Sequence, residues 1–430
     1  MTLLQRGWNI LAGGLMVLFI PVWFTQVEQG YYYTFLSLLA LQVFFELGFN
    51  AVIVQLVSHE IAHLQVGADG SIAGAPSHLA RLNSLLSLLR KWYLAASLLF
   101  FAVVSVAGYA FFAAKGILPV GQWLGTWVAL VFFTSINLYL SPQLAVLEGI
   151  GRVGQVARMR LVQSVCGFAL MWAALSLHAG LRAMPLMAAS GSVAALWWVR
   201  RHARLLRPTL DLQHAAQHTM NWRTEIFPLQ WRIALSWISG YFIFQAFVPL
   251  IFANQGAAEA GKVGIALTIF SSLSTLGMSW INASAPRMAQ LIARDERGVL
   301  NQVFVRVLRS STLFTVLSSL LLLLVVHVLR AHDVAFVSRL ASLPILACLA
   351  LVTITNTFIF AAATYMRAHK QEPMLAASIV GGLLTLACAY FGSQVSSLTV
   401  IGLYALTTVV VGLPWTVHLF LPFFRRPTPA

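Results

Sequence analysis

Apolar runs of about 20 residues, each long enough to cross a bilayer core about 30 Å thick as a helix, recur along the whole chain between short polar or basic connections. They predict helices near 8–26, 32–57, 92–114, 121–147, 159–178, 183–199, 233–253, 263–286, 310–329, 340–366, 373–391 and 398–421. The expected fold class is therefore an all-α integral membrane protein with about twelve transmembrane helices. The first run carries Pro21 and Trp23 where a cleavage site would need small residues, and a second span follows almost at once, so it is read as a retained helix.

The longest polar break, 200–232, divides the twelve segments into six and six. It predicts an N-terminal six-helix lobe over 1–199, a cytoplasmic connector over 200–232 and a C-terminal six-helix lobe over 233–430. Because six is even, both halves start on the same side, and any repeat between them is parallel, about an axis along the membrane normal. Landmarks recur in order: Pro21, then Glu28 to Gly30 (EQG), a long span and a charged exit at His59 and Glu60. In the second half come Pro249, Glu259 to Gly261 (EAG), a long span and a charged exit at 293–297. The fourth and tenth spans both leave into short basic turns. In 77–92, Leu82, Leu85, Leu86 and Leu89 share one helical face, which fits either an interfacial helix or an extension of the third span.

Composition agrees with this pattern. Apolar types make up 59% of the 430 residues and charged ones 9%, which excludes a water-soluble domain. The net charge of +15 matters less than its distribution. The N-terminus and even-numbered connections hold 22 of the 27 basic residues; the odd-numbered ones hold only Lys115, Arg182, Lys262, Arg330 and Arg339. The positive-inside rule puts both termini in the cytoplasm. Topology and contact with anionic membrane lipids account for the basic excess, and no nucleic-acid partner is expected. Cys166, Cys348 and Cys388 fall inside spans without metal-ligand spacing and are read as packing residues.

The stretch EQGYYYTFLSLLALQVFFELGFNAVIVQLVSHE, 28–60, has a Gly-Tyr start, an apolar run, an acidic residue followed by x-Gly, and a polar exit. It resembles the second-helix signature of polysaccharide transporters of the O-antigen flippase type. Those flippases share the multidrug/oligosaccharidyl-lipid/polysaccharide (MOP) exporter superfamily with the multidrug and toxic compound extruders (MATE) and the lipid II flippases. The resemblance implies a MATE-like fold of two lobes in a bacterial cytoplasmic (inner) membrane. It implies transport of an undecaprenyl-pyrophosphate-linked oligosaccharide by alternating access, with no enzymatic step. The implied partners are that lipid-linked oligosaccharide, a polysaccharide polymerase and a chain-length regulator. This chain has Glu46 where related chains often have Asp.

Glu46, in mid-span, is a candidate ion-coupling carboxyl with H+ or Na+ as the ion; the alternative is a packing role. No other cofactor and no metal is expected. A pyrophosphate calls for guanidinium donors, and Arg6 and Arg232, at the starts of spans one and seven, are the candidates; ordinary positive-inside anchoring is the competing reading. Asn50, Gln245 and Asn282, with Gln55 and Asn356, can bond sugar hydroxyls or neighbouring helices. Tyr31, Tyr32 and Tyr33 suit stacking on sugars or an aromatic belt. Pro21 and Pro249 are expected to kink spans one and seven as hinges. His59 and His63, at i and i+4, lack a HExxH pattern and are placed at a membrane surface. No GxxxxGK[ST] motif is present. The competing readings are a multidrug or small-molecule extruder of the same superfamily, which should carry acidic residues in its cavity, and an O-antigen polymerase or ligase, which should have a large outer loop.

Overall fold

The computed structural model describes residues 2–67, 71–202, 205, 222–369 and 373–425. One to three consecutive helices cover each of the twelve apolar segments, three of them the second. In order these are α1 (Thr2–Trp23), α2 (Gln26–Leu39), α3 (Val43–Glu46), α4 (Phe49–Ile61), α5 (Pro76–Lys115), α6 (Val120–Gly149), α7 (Val153–Ser176) and α8 (Met184–Arg201). They continue as α9 (Phe227–Phe244), α10 (Phe247–Gln255), α11 (Ala257–Gly277), α12 (Ser279–Ala293), α13 (Arg297–Ala331), α14 (Leu343–Ala368), α15 (Leu375–Ser393), α16 (Ser397–Thr407) and α17 (Leu413–Phe424). Among the described residues nine helical stretches are long and apolar enough to cross a membrane; Leu11–Trp23 and Val52–Ile61 are shorter apolar helices. The protein is a multi-pass helical membrane protein.

Four segments expected as single helices are interrupted. The second breaks at Leu47–Gly48, both in the left-handed region with φ of 52° and 64°. The seventh breaks at Gln245–Ala246, one turn before Pro249, whose ring cannot donate to the preceding turn. The eighth breaks at Met278, and the twelfth loosens into a π-turn over Thr408–Gly412. Pro21 lies inside α1, which ends two residues later at Trp23. Most of the 200–232 connector lies outside the described residues; its last part is already helical, a π-turn at Trp222–Ile226 running into α9.

The chain forms two compact units, one of Met1–Gly13 with Leu38–Ile238, the other of Gly14–Ser37 with Ser239–Ala430. In the first unit, α5 is a single 40-residue helix, about 60 Å long, so the 77–92 stretch is an extension of the third span. Its leucine face, Leu82, Leu85, Leu86 and Leu89, is buried. Farther along α5, Gly108 admits the Trp127 ring of α6: an added Cβ would lie 2.2 Å from it. Trp127 Nε1 donates to the Ser105 carbonyl at 3.3 Å. Small residues that let helices approach closely substitute in a membrane for the missing hydrophobic drive. Between α4 and α5 the chain makes an antiparallel hairpin, β1 (Leu64–Val66) with β2 (Ile72–Gly74), Leu64 opposite Gly74.

In the second unit α2 begins with a capping box: the Thr25 amide donates to Glu28 Oε2 at 2.9 Å and the Glu28 amide to Thr25 Oγ1 at 3.1 Å. Glu28 is the third residue of α2 and Glu259 the third of α11, so the two E-x-G triplets hold the same helical register. They also meet. A Cβ on Gly30 would sit 1.9 Å from the Ala257 carbonyl oxygen, and one on Gly261 2.8 Å from the Gly30 amide nitrogen. Gln29 Nε2 donates to the Gly261 carbonyl at 2.9 Å and to the Arg339 carbonyl at 3.2 Å. Leu47 and Met278, at the two helix breaks, are separated by the same 231 residues as the triplets. The repeat thus extends to where each second helix is interrupted.

Tyr31, Tyr32 and Tyr33 are buried rather than set in a lipid-facing belt. Tyr31 packs edge-on against Phe252 at 5.1 Å. A core between α12, α13, α14 and α17 gathers Met288, Phe304, Tyr365 and Phe420. There Asn301 Nδ2 donates to the Phe424 carbonyl at 3.1 Å and Asn301 Oδ1 accepts from Tyr365 Oη at 2.8 Å. Cys166 is exposed on α7 rather than packed.

Candidate functional site

Glu46 is the last residue of α3, immediately before the left-handed pair Leu47–Gly48. The acidic-x-Gly signature is therefore a helix break in the second span. Glycine serves the second position because φ is +64° and because a Cβ there would meet Ile233 Cγ2 at 2.6 Å and the Trp237 ring at 3.2 Å. The break turns the chain so that Asn50, in the first turn of α4, reaches back. Its Nδ2 donates to Glu46 Oε1 at 2.6 Å. Asn50 Oδ1 accepts from Tyr93 Oη of α5 at 3.5 Å, and Tyr93 stacks beside Phe49. Asn50, read from the sequence as a partner for sugar hydroxyls or for a neighbouring helix, is bonded here to Glu46.

A cavity of about 520 Å³ opens within the second unit. Its polar lining consists of Ser37, Gln245, Thr268, Ser271, Ser272, Ser274, Thr275, Thr353 and Asn356, with the rings of Tyr33, Phe244, Phe247, Phe270, Phe360 and Tyr404. Among the described residues no charged side chain lines it. Gln245, Asn356 and Tyr33 were legible as polar or aromatic residues of spans; the serines and threonines were not singled out. Most of the latter bond a carbonyl one turn back, as Thr268 does to Gly264 at 2.9 Å and Thr353 to Leu349 at 2.7 Å. That bond uses the hydroxyl proton and leaves the oxygen able to accept.

The first unit has its own cavity, of about 600 Å³, lined by Gln5, Gln42, Thr134, Asn137, Ser141, Gln163, Ser164 and Arg160. Arg160, two turns inside α7, places Nη1 3.0 Å from Glu148 Oε1. Arg160 was counted in the sequence only as part of a basic connection, because α7 begins six residues before the expected span.

Other candidates fall elsewhere. Arg232 is exposed, its guanidinium 5.5 Å from the Trp231 ring centre. Asn282 is exposed on α12 and lines neither cavity. The side chain of Arg6 lies outside the described residues. Pro249 is buried at the start of α10.

At the far end of α4 Glu60 accepts from Arg81 Nε at 2.9 Å and pairs with His78 Nδ1 at 2.7 Å. Arg81 also bonds Glu225, at the end of the connector. Burial pushes the Glu60 carboxyl up, but the His78 and Arg81 bonds together outweigh it and hold the group below the usual carboxylate range. His63 stacks on His78 with centroids 4.4 Å apart. Among the described residues no group of three His, Cys, Asp or Glu is placed to hold a metal ion.

No protein-family profile matches the sequence, and no curated protein matches it. Solved structures do. A multidrug resistance MATE family transporter of the MOP superfamily, in an inward-facing conformation, aligns over 97% of this chain and 95% of its own at 12% identity and a TM-score of 0.64. The lipid II flippase MurJ aligns over 97% of this chain and 87% of its own at 13% identity and a TM-score of 0.69. A MOP superfamily transporter from Pyrococcus furiosus aligns over 99% and 96% at 12% identity and a TM-score of 0.58. At such identities the likeness is one of fold. The fold is MATE-like and extends over essentially the whole chain.

Proposed function

We propose that this protein is a flippase that moves an undecaprenyl-pyrophosphate-linked oligosaccharide, an O-antigen or exopolysaccharide repeat unit, across the bacterial inner membrane by alternating access. The observation that carries the reading is the chemistry of the two cavities. Their linings offer hydroxyls, amides and aromatic faces, which match sugar hydroxyls and the apolar faces of sugar rings, and among the described residues neither presents a carboxylate. Among the described residues the one charged side chain in the two linings is the Arg160 guanidinium, paired with Glu148 outside the lining and of a type suited to phosphate oxygens. An extruder of organic cations would place a carboxylate where the cargo sits, as would the small-molecule reading in general for basic drugs.

In this account Gln245 and Asn356 are the residues for sugar, Arg160, Arg6 and Arg232 the candidates for the diphosphate, and Glu46 the coupling carboxyl, with H+ or Na+ as the ion. A polymerase and a chain-length regulator act on the exported unit. Deletion of the gene should leave lipid-linked oligosaccharide on the inner leaflet. Normal export in the deletion strain, or efflux of cationic dyes by the purified protein, would favour the extruder.

A further inference from the structure

A groove of about 240 Å³ on the first unit belongs to neither cavity. Helix α5 contributes Leu86, Leu89 and Arg90, and α8 contributes Leu196, Val199 and Arg200. Each helix therefore supplies an apolar pair at i and i+3 and an arginine at i+4, which fall on one face. Tyr139 and Gln143 of α6, also four residues apart, complete it. Both arginines are exposed, and neither makes a hydrogen bond or an ion pair among the described residues. This sets them apart from Arg81 and Arg160, whose charges are matched by Glu60, Glu225 and Glu148. Among the described residues no acidic one lines the groove.

Its depth is readable from helix rise. Counting 1.5 Å per residue from the opposite ends of α5 and α6, Arg90 and Gln143 lie about 35–38 Å away, just past one hydrocarbon thickness. Leu140 and Leu196 lie nearer the membrane centre than Gln143 and Arg200 on their own helices. With the orientation given by the basic residues, the arginines sit at the cytoplasmic headgroup level and Leu140 and Leu196 at the level of the acyl chains, while Leu86 and Leu89, before Arg90 on α5, lie on its cytoplasmic side.

We propose that this groove binds an anionic phospholipid of the cytoplasmic leaflet, its phosphate between Arg90 and Arg200 with Tyr139 and Gln143, and an acyl chain along Leu140 and Leu196. Charge selects the lipid: two unmatched guanidiniums favour phosphatidylglycerol over the net-neutral phosphatidylethanolamine. The leucine wall distinguishes a lipid from a free phosphate. The proposal is independent of the cargo and stands or falls apart from the flippase reading.

The full-length protein in detergent, titrated with phosphatidylglycerol, phosphatidylethanolamine or glycerol 3-phosphate, tests it by native mass spectrometry. Phosphatidylglycerol should stay bound and be weakened roughly tenfold or more in R90Q/R200Q, given the usual contribution of each basic residue at an anionic surface. R90K/R200K should retain most of the binding. Q143W, which fills the groove and keeps both charges, should lose it. Equal binding of phosphatidylethanolamine, equal binding by R90Q/R200Q, or unchanged binding by Q143W would overturn the proposal. So would glycerol 3-phosphate binding as well as the lipid, or a polyprenyl diphosphate displacing the phospholipid at equal concentration.

Discussion

Asn50 donates its side-chain amide to Glu46 at 2.6 Å across the two-residue left-handed break that interrupts the second apolar segment. A carboxyl in the middle of a membrane segment is costly and needs a partner; here the break supplies one by bringing the first turn of α4 back toward the last residue of α3. The hydrogen bond suits either protonation state, because a carboxyl oxygen accepts in both. Glu46→Gln keeps shape and acceptor but cannot change charge. It should abolish transport while leaving membrane insertion and melting near wild type, measured by export of the lipid-linked glycan and by detergent-solubilised unfolding. Wild-type transport in that variant would remove Glu46 from the mechanism.

The break itself depends on Gly48. Alanine there would be held at φ +64° and pressed toward Ile233 Cγ2. Gly48→Ala should lower stability by about 1–2 kcal/mol, the usual cost of a left-handed non-glycine residue. Thermal unfolding in detergent checks this, and an unchanged melting temperature would contradict it.

The crossing of the two E-x-G triplets gives a second steric test. In Gly30→Ala the new methyl would meet the Ala257 carbonyl oxygen, a backbone atom that cannot move without its helix. A loss of about 1–3 kcal/mol is expected for such overpacking. Gly13→Ala is the control, since an added Cβ there meets nothing within 4 Å. The same melting measurement should separate the two variants.

The Glu60 network predicts a pH dependence. Its folded value lies below that of the unfolded carboxyl, about 4.3, so its stabilisation is fully present above that pH and is lost as pH falls through the folded value. Arg81→Gln should cost roughly 1–3 kcal/mol at neutral pH. The difference from wild type should hold down to about pH 5 and shrink below about 4.3. A difference independent of pH across that window would assign the cost of the substitution to packing instead.

Hydrophobic periodicity made the helical segments legible because a bilayer imposes a length on each. The ordered landmarks were legible because the EQG and EAG triplets at Glu28 and Glu259 recur after a proline and before a long span. The break after Glu46 was not, since a lone glycine in an apolar run is tolerated in most helices, and only the positive φ at both Leu47 and Gly48 shows its use. The cavities were hidden for a different reason. Thr268, Thr353 and Tyr404 come from segments far apart in the chain, and a serine or threonine in a membrane helix usually does no more than bond its own preceding turn. Arg160 was masked by its neighbours Arg152 and Arg158, which suggested a loop where α7 already runs.

The central claim concerns cargo, and reconstitution tests it directly. Purified protein in vesicles carrying a fluorescent undecaprenyl-diphosphate oligosaccharide should move the label between leaflets. The rate should fall in Arg160→Gln and in Asn356→Leu, and a cationic dye in the same vesicles should not be transported. Transport of the dye with no movement of the labelled glycolipid would contradict the account.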